Sequence, residues 1–520
     1  MPPLSGAEAG ADVVGAAILR RCAPPHRPVN GCAGSCCAGA GGPGVRVAAV
    51  STAVVVGSGP NGLTAAALLA RAGVEVTVLE AAAEIGGGTR TGEAILPGLL
   101  HDHCSAVHPM AVGSPALQDL QVAKYGLEWR WPEIDCVHPL DDGTAGVLHR
   151  SVGETARGLG RDGRRWSALF GRPAARYDAL AEDVLGPLLR IPSHPLDLAR
   201  FGLPTLLPAT VLARAFATPR ARALFAGVAA HAFHPLERPL TSAIGLGILT
   251  AGHRHGWAVA AGGSRAISDA LAAVLAEHGG RIETGVRVTS AAQLPPADVV
   301  LFDLAPGAVA GILGDRLPRR AARAYRRFRH GPGAFKVDFA VEGGVPWRNP
   351  AAARAGTVHL GGPLEEVAAG EREIAAGRLP ERPFVLVGQQ YLADPGRSVG
   401  DVHPVWAYAH VPHGYAGDAT EAITAQLERF APGFRDRVVG TAVRTTTELA
   451  RYNPNFVGGD IVTGSTRAVR LLVGPRATLA PYDTGVPGVY VCSAATPPGA
   501  GAHGMCGAHA AERALRHLRR

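Results

Sequence analysis

Short apolar runs bounded by glycine or an acid recur near the start, middle and end of the 520-residue chain. Val54-Val55-Val56 is followed by a glycine-bearing loop, then by Leu63, Ala66, Ala67 and Ala70 at the spacing of one helix face. Gly73 stops that helix, and Val74, Val76 and Val78 alternate with polar residues up to Leu79. The pattern predicts strand, loop, helix and strand over 52–80. A second unit of this style opens at Gly262-Gly263-Ser264. There Ser264 is placed to cap a helix over 265–277 that carries Ile267, Leu271, Val274 and Leu275 on one face. Short strands are expected over 281–284 and 286–289, and a clean apolar strand over 298–303. A last apolar strand over 488–492 leads through Pro497-Pro498-Gly499 into a helix over about 504–518.

The stretches between these units have another texture. Residues 116–257 show helical Leu/Ala/Arg periodicity, as in 176–185 and 219–231, whereas 331–470 mix strands such as 335–341 and 384–387 with longer loops. An α/β architecture follows: a discontinuous Rossmann-like cofactor domain made of 50–115, 258–330 and 471–520, with an inserted α+β substrate domain made of 116–257 and 331–470.

The loop has the chemistry of a dinucleotide site. Gly57 permits the sharp turn out of the strand, Gly59 lets backbone approach a pyrophosphate, and Gly62 lets the helix pack close to the sheet. Pro60 sits near the first helical position, where its missing N–H costs nothing, and Asn61 follows it at the positive end of the helix dipole. Glu80, after the second strand, is placed to accept both hydroxyls of an adenosine ribose and disfavours a 2′-phosphate, so FAD or NAD fits better than NADP. Only one such fingerprint occurs, because Gly245-Leu246-Gly247 lacks the third glycine in phase. One nucleotide site points to a flavin reduced directly by an organic substrate rather than through NADPH.

Composition narrows the field. A formal charge of +8 is spread along the chain without a dense Lys/Arg block, which argues against nucleic acid as a partner. Four of the eight cysteines fall in the first 37 residues and none forms a Cys-x-x-Cys pair, which argues against a disulfide reductase. Cys32, Cys36 and Cys37 lack a downstream ligand set, so no metal is expected. This cysteine usage fits a reducing cytoplasm. No apolar run reaches membrane-spanning length. The stretches 203–212 and 243–250 remain open between core, cavity lining and contact with a membrane surface. Residues 1–45, rich in Gly, Ala, Pro and Cys, read as an extension without fixed structure or an over-extended gene start, with Val45, Val47 or Val50 as the true beginning.

Gly57 to Gly62, Glu80, Gly86-Gly87 and the tail from Ala495 to Met505 resemble the FAD-dependent phytoene desaturase and amine oxidase superfamily. Within it, the stretch from His101 to Pro109 and Tyr452-Asn453-Pro454-Asn455 look closest to the carotenoid/retinoid oxidoreductases, including the pyridine nucleotide-disulfide oxidoreductase domain-containing protein 2 group. The resemblance implies a two-domain FAD fold. It implies that Val288 meets the adenine through its backbone, and that Gly504 and Met505 start the last helix beneath the flavin, where the helix N-terminus stabilises negative charge on the reduced ring. Two departures stand out. Gly88 occupies the position of a family arginine, which leaves Arg90 to reach the pyrophosphate, and Ser493-Ala494 replace the Gly-Asp that binds the ribityl chain in many flavoproteins.

The reaction implied is hydride transfer from a substrate C–H to flavin N5, desaturase-like, on a hydrophobic isoprenoid- or lipid-like molecule. An amine or amino-acid oxidase, and a non-catalytic FAD-binding regulatory protein, are the alternatives. If a proton must leave to a side chain, His503 is the candidate base, with His101, Asp102, His108, His410 and His413 behind it. Each of these equally suits a turn cap or a core hydrogen bond. Cys506 is a candidate covalent flavin anchor, and Trp347 and Trp406 read as packing residues.

Overall fold

A computed structural model describes residues 50–464 and 473–520. The segment 1–45 and its cysteines lie outside the described residues. Five parallel strands form the first sheet, in the order Val489–Val491, Val299–Phe302, Thr52–Val56, Glu75–Leu79, Arg281–Glu283. Val55 sits between Leu301 and Val78, all three fully buried, as a strand covered on both faces requires. The alanines of helix Pro60–Arg71 let it lie close to two neighbours, Arg265–Glu277 and Met505–Leu518. At the second crossing a Cβ on Gly507 would stand 1.9 Å from the Asn61 carbonyl oxygen, so only glycine fits.

The second sheet has seven strands, in the order Val438–Arg444, Gly333–Glu342, Val402–Val411, Val385–Gly388, Ala355–Leu360, Ile134–Pro139, Ala145–Leu148. All its pairings are antiparallel except that of Ala355–Leu360 with Ile134–Pro139. One face carries Val337, Phe339, Val341 and Val405 into a core closed by Thr420–Phe430. The other meets helices Pro219–Ala229 and Leu364–Ala375 through Leu224, Phe225, Leu364 and Phe384. The chain thus combines a discontinuous Rossmann-like domain with an inserted α+β domain.

Three local expectations change. Residues 286–289 add no strand: Val286 N–H donates to the Glu80 carbonyl and Gly285 N–H to that of Ala82, so the segment crosses the end of the sheet. Ser264 precedes its helix but does not cap it; its hydroxyl bonds His108 Nε2 at 2.8 Å instead. The stretch 203–212 is only partly core, because Ala209 and Leu212 are buried while Leu203, Leu206, Leu207 and Val211 are exposed, whereas 243–250 lies in helix Thr241–His255 with Leu246 and Leu249 buried. Among the described residues no helix is long and apolar enough to cross a membrane.

Candidate functional site

The carboxyl ends of the parallel strands open into a cleft of about 530 Å3, within the ~300–1,000 Å3 usual for small-molecule sites. Such a crevice lies where a doubly wound sheet reverses its strand order. Gly57, Gly59, Pro60 and Asn61 form its floor, and Glu80, Gly87, Gly88, Arg90 and Val288 line it as well. Ser493, Ala494, Gly501 and Ala502 of the tail bound its other end. Tyr452, Phe456, Ile461 and Cys104 form an aromatic and aliphatic wall.

Glu80 is fixed by its surroundings. Its carboxylate accepts Ser58 N–H at 2.9 Å, Ser58 Oγ–H at 2.6 Å and Ala82 N–H at 2.8 Å, with Arg90 Nη2 at 3.4 Å. Arg90 is buried and held by the Glu84, Ile85 and Tyr452 carbonyls, with its guanidinium 5.2 Å from the Tyr452 ring centre. It therefore balances Glu80 rather than standing free for a phosphate. A Cβ on Gly88 would stand 3.3 Å from the tip of the Phe456 ring, so any side chain there would have to push that ring aside.

Other predicted residues lie behind the cleft. Gly62 packs on the loop, where a Cβ would be 2.2 Å from the Gly57 carbonyl, and Gly86 N–H donates to the Ser58 carbonyl. Gly504 caps helix Met505–Leu518 against Thr64, and Met505 is buried beside Tyr177 and Leu185. His503 is not among the cleft-lining residues. Its Nδ1 accepts the Met505 N–H at 3.1 Å, and burial pushes its pKa down to about 4, so it is a neutral helix cap rather than a base facing the cleft. Cys506 is also outside the cleft; it donates to the Thr496 and Gly499 carbonyls, and burial pushes its thiol up to about 12.

The remaining imidazoles are tied down elsewhere. His101 Nε2 lies 3.2 Å from the Phe339 carbonyl, His413 Nδ1 2.9 Å from that of Gly331, and His410 Nδ1 2.6 Å from Glu371. Asp102 binds Arg397 at 2.6 Å in a buried ion pair and accepts Thr91 Oγ1–H and Ser264 N–H. Trp347 donates to Gln389, and Trp406 stacks edge-on against Tyr408.

Sequence reasoning missed two groups. Lys336 and Asp338 form a buried ion pair on Gly333–Glu342, and Arg444 binds the second Asp338 oxygen at 2.9 Å. Burial pushes Lys336 down to about 8, and the Cys104 thiol of the cleft wall is close enough to feel its charge. The available signal was a Lys-x-Asp pair on one face of an otherwise apolar strand. The second group is Asp303, directly after Val299–Phe302, whose carboxylate lines the cleft and accepts Gly62 N–H at 3.0 Å.

The donors fit a dinucleotide. A helix N-terminus faces the floor, Glu80 stands at the end of the neighbouring strand, and Asn61 Oδ1 is buried without a partner, an acceptor left for a ligand hydroxyl. Among the described residues, Asp303 is the one anion of this set without a cation beside it.

Comparisons with known proteins point to the same fold. The family of NAD(P)-binding Rossmann-like domains matches residues 55–121. The rat pyridine nucleotide-disulfide oxidoreductase domain-containing protein 2 is 25% identical over 90% of this chain and 94% of its own length. A component of the limonene dehydrogenase of Castellaniella defragrans is 31% identical over 26% of this chain and 24% of its own. Among solved structures, an oxidoreductase from Methanosarcina mazei superposes with a TM-score of 0.58 at 17% identity, covering 89% of this chain and 100% of that one. Putrescine oxidase with bound putrescine gives 0.57 at 17%, covering 90% and 99%. A fatty acid isomerase from P. acnes gives 0.54 at 14%, covering 90% and 98%. The chain therefore shares the fold of these solved structures.

Proposed function

We propose that this protein is an FAD-dependent oxidoreductase acting in a desaturase-like manner on a hydrophobic, isoprenoid- or lipid-like substrate. One observation carries the reading: loop, acid, Val288 segment and tail, separated by up to hundreds of residues in sequence, meet in a single cleft with an apolar wall. In it the loop from Gly57 to Asn61 would hold the pyrophosphate, Glu80 the adenosine ribose and the Val288 backbone the adenine. The tail residues Ser493, Ala494, Gly501 and Ala502 would flank the ring end. Bound there, FAD supplies a two-electron acceptor for a hydride from a substrate C–H. Phe456, Ile461 and Tyr452 give the cleft an apolar wall that favours an apolar molecule.

No histidine lines the cleft among the described residues, which suits removal of hydrogen from a hydrocarbon more than from an alcohol. The limonene dehydrogenase and fatty acid isomerase names support an apolar substrate, and that of putrescine oxidase keeps amines as the rival class. The cofactor domain is taken as 50–115, 258–330 and 471–520. Anaerobic bleaching of the reconstituted protein tests the reading. Carotenoid precursors, terpenes or polyunsaturated lipids are expected to bleach it and amines to leave it yellow; bleaching by amines alone would make it an amine oxidase, and bleaching by none would favour a regulatory flavoprotein.

A cytoplasmic, membrane-peripheral location accompanies this reading. Cys104, Cys136, Cys492 and Cys506 are free thiols, in keeping with a reducing compartment. Leu189, Ile191, Leu196, Leu203, Leu206 and Val211 are exposed around helix Pro195–Thr205, with Arg190, Arg200 and Arg214 interleaved among them. Apolar side chains flanked by arginine suit a surface of anionic lipid.

A further inference from the structure

The glycine loop carries two carboxylates where a diphosphate is to bind. Ser58 N–H is taken by Glu80, and Pro60 has no N–H. Gly62 N–H is taken by Asp303 Oδ2 at 3.0 Å, and Gly59 N–H is also directed at Asp303. The Asp303 oxygen lies so close that a Cβ on Gly59 would stand 2.6 Å from it. An anionic ligand must therefore share the nest with Asp303 or face its charge.

The two acids are balanced differently. Glu80 has Arg90 beside it, whereas Asp303 has no such partner among the described residues. The groups facing Asp303 are Glu80 after the strand Glu75–Leu79, the Cys492 thiol after Val489–Val491 and the Cys506 thiol from Met505–Leu518. Burial keeps both thiols neutral. The first turn of Pro60–Arg71 brings no acid, and Arg287 and Arg451 line the same cleft without bonding Asp303. Burial, reinforced by Glu80 and opposed by the loop N–H groups, pushes Asp303 up to about 7.

We propose that Asp303 is a proton-dependent positioning residue for FAD, protonated in the loaded protein, so that cofactor binding takes up one proton from solvent. The carboxylate becomes a neutral acid: an O–H bond forms, no other bond changes, and the group turns from a competing anion into a hydrogen-bond donor for the diphosphate. This rests on the FAD reading and adds to it that affinity is set by pH through one side chain.

The test is FAD binding to the full-length apoprotein, followed by quenching of flavin fluorescence. For the wild type, Kd is expected to rise about tenfold per pH unit between about pH 7 and 9, while Asp303→Asn holds a flat, tight Kd across that range. Calorimetry of the wild type in buffers of different ionisation enthalpy is expected to show uptake of about one proton near pH 8, and it decides the matter even if the variant does not fold. Parallel pH slopes in wild type and variant, or no proton uptake, would overturn the inference while leaving the FAD reading intact. No binding at any pH would remove the FAD reading itself.

Discussion

Asp303 sets how the glycine loop meets an anion. A buried carboxylate raised from 3.8 to about 7 binds its proton more tightly folded than unfolded. In the apoprotein its contribution is intact below about pH 4 and is lost as pH rises through about 7, because the unfolded chain has by then released the proton. Asp303→Asn should therefore melt a few degrees higher than wild type at pH 8 and close to it at pH 4, read by thermal melts of the FAD-free protein. A difference that does not vary with pH would mean that the carboxyl is not titrating there. The strand over 298–303 was legible from its apolar run, but not the target of its final acid. That depends on Val299–Phe302 lying beside Thr52–Val56, a pairing of residues over two hundred positions apart. The places of the loop glycines, Pro60 and Glu80 in the cleft were readable because they follow from backbone conformation and from position next to a strand. The histidines were not, since an imidazole in a catalytic pocket and one capping Met505–Leu518 look alike in sequence.

Among the elements, the crossing of Pro60–Arg71 and Met505–Leu518 joins the loop to the tail. Its closeness comes from small residues: Ala65, Gly507 and Ala511 are buried in the contact. Gly507→Val has no space beside the Asn61 carbonyl and should cost at least the ~1–3 kcal/mol of an overpacked core position. Because Asn61 itself lines the cleft, FAD affinity should fall in the same variant. Urea unfolding and flavin titration check both, and a variant of wild-type stability would show that the helices can part freely. The helices and parallel strands were legible here because their periodicities are local. The seven-stranded sheet was legible only in pieces, since the pairing of Lys336 and Asp338 with Arg444 joins strands Gly333–Glu342 and Val438–Arg444 through a register no local pattern encodes.

Across the molecule as a whole, the apolar surface around Pro195–Thr205 and the cleft wall at Phe456 and Ile461 fit a substrate taken from lipid. The protein should float with anionic vesicles, and Leu196→Glu with Leu203→Glu should release it while leaving bound FAD unchanged. Equal flotation of that variant would show that this surface does not bind lipid. Everything proposed for the cleft depends on the loop from Gly57 to Asn61 and the distant tail forming one FAD site. The decisive experiment is FAD titration of wild type and of Gly59→Val, each confirmed folded by circular dichroism. Saturable binding of one FAD per wild-type chain and loss of binding in the valine variant are expected; unaltered flavin binding by a folded Gly59→Val protein, or none by the wild type, would refute the site.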